Sequence, residues 1–188
     1  MVILHVDQLG DFLGMPREDR GAGYRAMAAA LRRVLEGVER AVRQLSPEQM
    51  EAPTPNRGRD IRELVFNIHD PIRSMGDSLD SGLFQWATEE DHQRSRGFST
   101  PGELADFCRG IREGWWNRAA RVDAEEADLM VETPRGVVTH LQLLESQAWH
   151  AAQHLRQIYD FLRGIGIEPE GELGAEDIRP IQLGEIVY

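Results

Sequence analysis

Residues 137–164 read VVTHLQLLESQAWHAAQHLRQIYDFLRG, and this stretch predicts a long helix that the rest of the chain packs around. On a helical wheel of about 100° per residue its polar side chains fall in one arc, and nearly all the others are apolar. His150 and His154 lie outside the polar arc, close to apolar positions such as Leu143 and Ile158. The pattern therefore predicts a helix that is packed on most of its circumference, with both imidazoles directed toward neighbouring helices.

The histidine pair has the spacing of a metal-binding pair. Residues four apart lie one turn apart on the same face of a helix, so His150 and His154 could bind one metal ion together. The same pair also fits an ordinary packed helix, because a buried histidine is usually a core residue whose ring nitrogens find partners. Ala151 follows His150, so the glutamate base of the H-E-x-x-H zinc-protease motif is missing. This argues against peptide hydrolysis of that type.

Composition indicates a single domain that does not bind nucleic acid. The 188 residues suffice for one core, and residues 1–188 are expected to form one domain. Cys108 is the only cysteine, which excludes an internal disulfide, and no apolar run is long enough for a signal peptide or membrane span. These features predict a cytoplasmic location and no membrane contact. The net charge of −11, with the arginines scattered among acids, argues against a phosphate-binding surface.

Amphipathic segments predict four long helices, at roughly 21–45, 59–80, 101–122 and 137–164. The connections between them contain prolines, and Pro71 inside the second segment is expected to kink or end that helix. Residues 1–15 are expected to form either a strand and a helical turn or an arm that lies over the bundle. The glycine- and proline-rich residues after 164 are expected to lie extended across the helices. The predicted fold class is therefore all-α, a four-helix bundle with an N-terminal arm and an extended C-terminal tail.

The segment HAAQHLRQI at residues 150–158 resembles the last helix of the DinB-like superfamily, in which H-x-x-x-H is followed closely by a Gln-Ile pair. The resemblance covers about residues 20–165, including the order and lengths of the four helices. Members of that superfamily are metal-binding bundles, commonly dimeric, and some transfer low-molecular-weight thiols or isomerise thiol adducts at a divalent metal held by three histidines. The resemblance therefore implies a divalent metal such as Zn, Ni, Fe or Mn, a low-molecular-weight thiol, a small-molecule substrate and a homodimer.

The third metal ligand is ambiguous in this sequence. The alignment with the family places Asn67 where the second helix usually carries a histidine, and His69 lies two residues further on, about 200° around an ideal helix. Either the Pro71 kink turns His69 inward, or the site has two histidines and a weak amide oxygen, or the metal has been lost. Because imidazole is the stronger donor for Zn, Ni or Fe(II), the predicted metal ligands are His69, His150 and His154.

Two classes of function remain open at this stage. The first, which the resemblance implies, is a metal-dependent transferase or isomerase that uses a low-molecular-weight thiol. This thiol would come from another molecule, because Cys108 lies on a buried helical stripe and is expected to be a core residue rather than a nucleophile. The second is a non-catalytic binding or scaffold bundle with a degenerate metal site. Trp149, placed on the otherwise polar arc of the last helix, favours a homodimer in either case.

Overall fold

The four-helix bundle predicted from the sequence is confirmed. The computed structural model describes residues 17–54 and 59–181, so the predicted arm at residues 1–15 lies outside the described residues. The helices and strands are α1 (Arg17–Arg43), α2 (Pro47–Met50), α3 (Ile61–Ser81), α4 (Glu89–Ser95), α5 (Pro101–Ala119), α6 (Ala124–Ala127), β1 (Met130–Thr133), β2 (Gly136–Thr139) and α7 (His140–Gly164).

The long helices α1, α3, α5 and α7 form the bundle. Helix α1 packs against α5 and α7, and α3 packs against the same two helices. The first and second long helices are therefore diagonal to each other, as are the third and fourth. None of the described helices is long and apolar enough to cross a membrane. The core consists of the apolar stripes that the helical period predicts. Fully buried members on α1 and α3 include Leu31, Val34, Leu35, Val38, Val42, Ile61, Val65, Ile68, Ile72 and Met75.

The connection into α7 differs from the predicted loop and helix. The observed helix begins at His140 rather than at residue 137, because residues 136–139 form β2, which pairs antiparallel with β1. The β-branched residues Val137, Val138 and Thr139 favour a strand. Thr139 then caps α7, since its side chain accepts a hydrogen bond from the Gln142 backbone N–H while the Gln142 side chain accepts one from the Thr139 N–H.

Helix α3 passes through Pro71 and ends at Ser81. The helix begins after Asp60, whose side chain accepts a hydrogen bond from the Glu63 backbone N–H. Pro71 removes one backbone donor, but the residues on both sides keep helical structure and Pro71 itself is buried. Of the two outcomes expected at Pro71, a kink or an end of the helix, the end does not occur, and the helix covers nearly all of the predicted range of roughly 59–80. The helical register of Asn67 and His69 consequently continues across it.

The described part of the C-terminal tail, residues 165–181, lies along α1. Arg40 donates a hydrogen bond to the Gly171 carbonyl oxygen at 2.9 Å, and Arg33 donates one to the Asp177 carbonyl oxygen. Ile178 and Ile181 are buried. The extended tail across the bundle is thus present as predicted.

Candidate metal centre

Two imidazoles of α7 converge at the groove between α3 and α7. The Nε2 atoms of His150 and His154 are 3.0 Å apart, and both side chains are half-buried. One helical turn separates the two residues, as their spacing of four predicts. Both rings therefore present the same nitrogen atom to a common point.

The third group at this point is the side-chain amide of Asn67 on α3. Its Nδ2 lies 3.3 Å from His150 Nε2 and 3.1 Å from His154 Nε2. A 180° turn of the amide exchanges its nitrogen and oxygen, and it would then direct Oδ1, a metal ligand, at the same point. Three donor atoms that are 3.0–3.3 Å from one another can all lie about 2 Å from a single ion. The donor set therefore fits a divalent cation.

Gln157 determines which nitrogen of His154 carries the proton. The Gln157 Oε1 lies 2.9 Å from His154 Nδ1, and an amide oxygen only accepts hydrogen bonds. Nδ1 of His154 is consequently protonated, and the lone pair of Nε2 remains available. Metal-binding histidines usually donate their other ring N–H in this way.

His69 lies away from the pair, on the side of α3 that faces the bundle core. Its Nδ1 donates a hydrogen bond to the Val65 carbonyl oxygen at 2.9 Å, and its ring is fully buried. Burial lowers the pKa of His69 to about 4, so the imidazole is neutral, and the other charges that act on it are those of Glu39 on α1 and Arg112 on α5. The structure does not bring His69 together with His150 and His154.

The physical reason for this placement is the continuous register of α3. Asn67 and His69 are separated by about 200° on an ideal helix, and the uninterrupted helix keeps that angle. With Asn67 directed at α7, His69 must point toward α1 and α5. Among the described residues no group of three histidine, cysteine, aspartate or glutamate side chains could hold a metal ion, which leaves two imidazoles and an amide as the available donors.

The surroundings of the pair carry positive charge. Trp86 packs edge-on against His150 with ring centroids 6.4 Å apart, and the Arg135 guanidinium lies 5.3 Å from the centre of the Trp86 ring system. Burial is the main cause that lowers the pKa of His150 to about 3, and repulsion by the protonated form of His154 and by the guanidinium groups of Arg59 and Arg135 contributes to this shift. His150 is therefore neutral at physiological pH, as a metal ligand must be.

Sequence reasoning did not identify Trp86, Arg135 or Arg59 as neighbours of the pair. Trp86 and Arg135 lie in connections, and Arg59 directly precedes the cap of α3. Helical periodicity makes no prediction for such positions. Asn67 was recognised as an alternative ligand only because the family alignment placed it there.

Cys108 is a core residue, as expected. It is buried on α5 with a free thiol, and burial raises its pKa well above the ordinary value. Such a thiol stays protonated and is a poor nucleophile. A thiol used in any reaction at the histidine pair would have to come from another molecule.

Comparison with known proteins supports the fold. No protein-family model matches the chain, and no curated protein matches it. Among solved structures, YfiT from Bacillus subtilis superposes with a TM-score of 0.62, over 76% of this chain and 87% of YfiT. The chain has the YfiT fold. The sequences of YfiT and this chain are 14% identical. YfiT is described as a probable metal-dependent hydrolase with an unusual four-helix bundle topology.

The four-helix bundle of YfiT agrees with the four-helix bundle that the sequence predicts. At 14% identity the likeness extends to the fold and does not by itself assign a reaction.

Proposed function

We propose that this protein is a metal-dependent enzyme in which His150 and His154 bind a divalent ion, with Asn67 as the third ligand. The observation that carries the proposal is the convergence of these three side chains from two helices, with their nearest nitrogen atoms 3.0–3.3 Å apart. A packed pair of core histidines would not need to direct both Nε2 atoms and a third polar group at one point. Imidazole donors suit Zn, Ni or Fe, and the amide oxygen also tolerates Mn.

His150, His154 and Asn67 would hold the metal, which when bound would lower the pKa of a water or thiol and so supply a nucleophile. The chain's own residues serve this role by supplying neutral donors. Gln157 keeps the Nε2 of His154 unprotonated, and burial keeps His150 neutral. Trp86 packs edge-on against the His150 ring.

The reaction class we favour is hydrolysis or group transfer on a small molecule. The description of YfiT as a probable hydrolase supports water as the nucleophile. The family resemblance of the HAAQHLRQI segment supports a low-molecular-weight thiol instead, and the buried Cys108 cannot supply one. A screen of the metal-loaded protein against esters and amides, and against electrophiles with glutathione-like thiols, distinguishes the two nucleophiles.

Metal binding is tested by elemental analysis of the purified chain and by calorimetric titration with Zn²⁺, Ni²⁺ and Mn²⁺. We expect His154→Ala to weaken metal binding by roughly 100-fold or more and Asn67→Ala by roughly tenfold. Removal of a residue that only hydrogen-bonds to a metal ligand already lowers metal affinity by about 10–100-fold, and removal of a ligand should lower it at least as much. Asn67→Asp should tighten binding, because a carboxylate is the stronger donor.

The matched control is a histidine of the same helix outside the site. His140 lies on α7 with its Nε2 3.0 Å from the Met75 carbonyl oxygen, so His140→Gln should leave the metal affinity unchanged. His69→Gln should also leave it unchanged. Loss of affinity in His69→Gln with full affinity in Asn67→Ala would make His69 the third ligand. A wild-type chain that takes up no metal would contradict the enzyme proposal and favour a non-catalytic scaffold.

A further inference from the structure

Two arginines near the histidine pair differ from the others in the chain. The guanidinium groups of Arg59 and Arg135 make no ion pair or hydrogen bond with the residues that the structure describes. The remaining arginines with described side chains are engaged by carboxylates, carbonyl oxygens or other partners. In a chain with a net charge of −11, unpaired guanidinium groups are unexpected. Both of them act on His150.

Arg135 is held at the tip of the β1–β2 hairpin. The Thr133 hydroxyl donates to the Gly136 carbonyl oxygen at 2.7 Å and accepts from the Arg135 backbone N–H at 3.1 Å. These bonds order the turn, and the guanidinium then lies over Trp86, which in turn contacts His150. The Arg135 side chain is exposed, so its donors remain available to a ligand.

The charges around the site do not balance once a cation is bound. Two imidazoles and an amide are neutral ligands, so they leave the full charge of a divalent ion uncompensated. The charged side chains that act on His150 most strongly, Arg59 and Arg135, are both positive. A cation in this site together with Arg59 and Arg135 creates a strongly positive local field, which an anion bound beside it would neutralise.

We propose, on the basis of the metal site proposed above, that its substrate carries an anionic oxygen group, a carboxylate or a phosphate, and that Arg135 binds this group beside the metal position. Guanidinium is suited to this task because its N–H donors match the two oxygens of such a group. Arg59 adds positive charge on the side of α3. In this arrangement Arg135 and Arg59 determine specificity, and the metal site determines reactivity.

Calorimetric titration of the full-length protein with succinate tests the proposal, first without metal and then after loading with Ni²⁺. We expect Arg135→Gln to weaken succinate binding roughly tenfold, because one charge-assisted hydrogen bond is lost. Arg59→Gln should weaken succinate binding less. Methyl phosphate in place of succinate distinguishes the two anions, because the tighter ligand shows which group the site prefers. Succinamide, the neutral counterpart, should bind at least tenfold more weakly than succinate to the wild-type chain.

Arg121→Gln is the control for net charge, since Arg121 is exposed just after α5 and its side chain hydrogen-bonds only to the Asn117 carbonyl oxygen among the described residues. It should bind succinate as the wild type does. The inference would be overturned by any of three results. Arg121→Gln could weaken succinate binding as much as Arg135→Gln does, succinamide could bind the wild type as tightly as succinate does, or Arg135→Gln could bind succinate as tightly as the wild type does. The affinity for Ni²⁺ alone, measured in the same variants, reports separately on the metal site. Absence of Ni²⁺ binding by the wild type would contradict the proposed function. If the wild type binds Ni²⁺ but not succinate, only the proposed anion site is contradicted.

Discussion

The proton on His154 depends on a single neighbouring side chain. Gln157 accepts a hydrogen bond from His154 Nδ1 at 2.9 Å and thereby fixes the tautomer in which Nε2 can bind a cation. His150 has no such partner, because its Nδ1 is buried without a hydrogen bond among the described residues. The two imidazoles are therefore unequal, and His154 has the better-oriented donor nitrogen.

Replacing Gln157 tests this difference. We expect Gln157→Leu to weaken the metal affinity by about 10–100-fold, the usual effect of losing a partner of a metal-binding histidine. Gln157→Glu keeps an acceptor at the same place and should bind metal at least as tightly as the wild type. Both affinities can be measured by calorimetric titration with Zn²⁺. Equal affinities in the two variants would show that Gln157 does not orient His154.

At the residue scale, the sequence predicted the part of the site that lies on one helix. The spacing of His150 and His154 was sufficient because both residues share a turn. The third group was harder to predict, since ligand chemistry favoured His69 and the register favoured Asn67. The structure places Asn67, and not His69, beside the histidine pair, because α3 stays helical through Pro71. Arg135 and Trp86 reach the site through tertiary contacts, and no local pattern could show that.

The short helix α6 illustrates how an element outside the bundle is fixed to it. A Cβ added at Gly21 on α1 would lie 3.0 Å from the Ala124 backbone nitrogen and 3.1 Å from the Asp123 carbonyl carbon. Arg25 donates a hydrogen bond to the Val122 carbonyl oxygen beside this contact. The close approach at Gly21 thus holds the start of α6 against α1, and the β-hairpin follows directly after α6.

Gly21→Ala should destabilise the protein by about 1–3 kcal/mol, because the added methyl group meets backbone atoms that cannot rotate away. Gly110→Ala is the matched control, since Gly110 is exposed on α5 with nothing within 4 Å of an added Cβ. That variant should be about 0.5–1 kcal/mol more stable through its helix propensity. Urea unfolding monitored by circular dichroism measures both. A Gly21→Ala protein as stable as Gly110→Ala would contradict the close packing of α6 on α1.

At the element scale, the long helices were predictable and the hairpin was not. The stripes of α1 and α3 repeat with the helical period over many turns, which is a strong signal. Val137 and Val138 are apolar at positions that also fit the helical period of the following segment, so the prediction extended the helix over them. Their strand conformation depends on pairing with β1, which is a contact and not a local preference.

At the scale of the whole molecule, the bundle helix α7 exposes a large aromatic side chain. Trp149 is 48% exposed on α7, whereas Trp115 on α5 is buried. An indole exposed among polar side chains is typical of an interface. A homodimer with Trp149 in its contact surface therefore stays our prediction for the assembled protein.

Light scattering at micromolar concentration should give the mass of a dimer for the wild type and of a monomer for Trp149→Glu, since a buried charge would oppose the contact. Gln93→Glu adds the same charge at an exposed position of α4 and should remain a dimer. A monomeric wild type would exclude the dimer at this concentration. A dimeric Trp149→Glu protein would place the interface elsewhere.

The diagonal arrangement of the first two long helices has a consequence for the speed of folding. Neither α1 and α3 nor α5 and α7 can form a helical hairpin, so the bundle is closed by contacts between distant parts of the chain. Asn67 meets its two imidazoles across 83 and 87 residues. Chains with such distant contacts fold more slowly than bundles of consecutive hairpins, because the entropy of closing a long loop is lost before the stabilising contacts form. The histidine pair gains its partner from α3 only when α7 docks, so metal uptake during refolding would report the closing of the bundle.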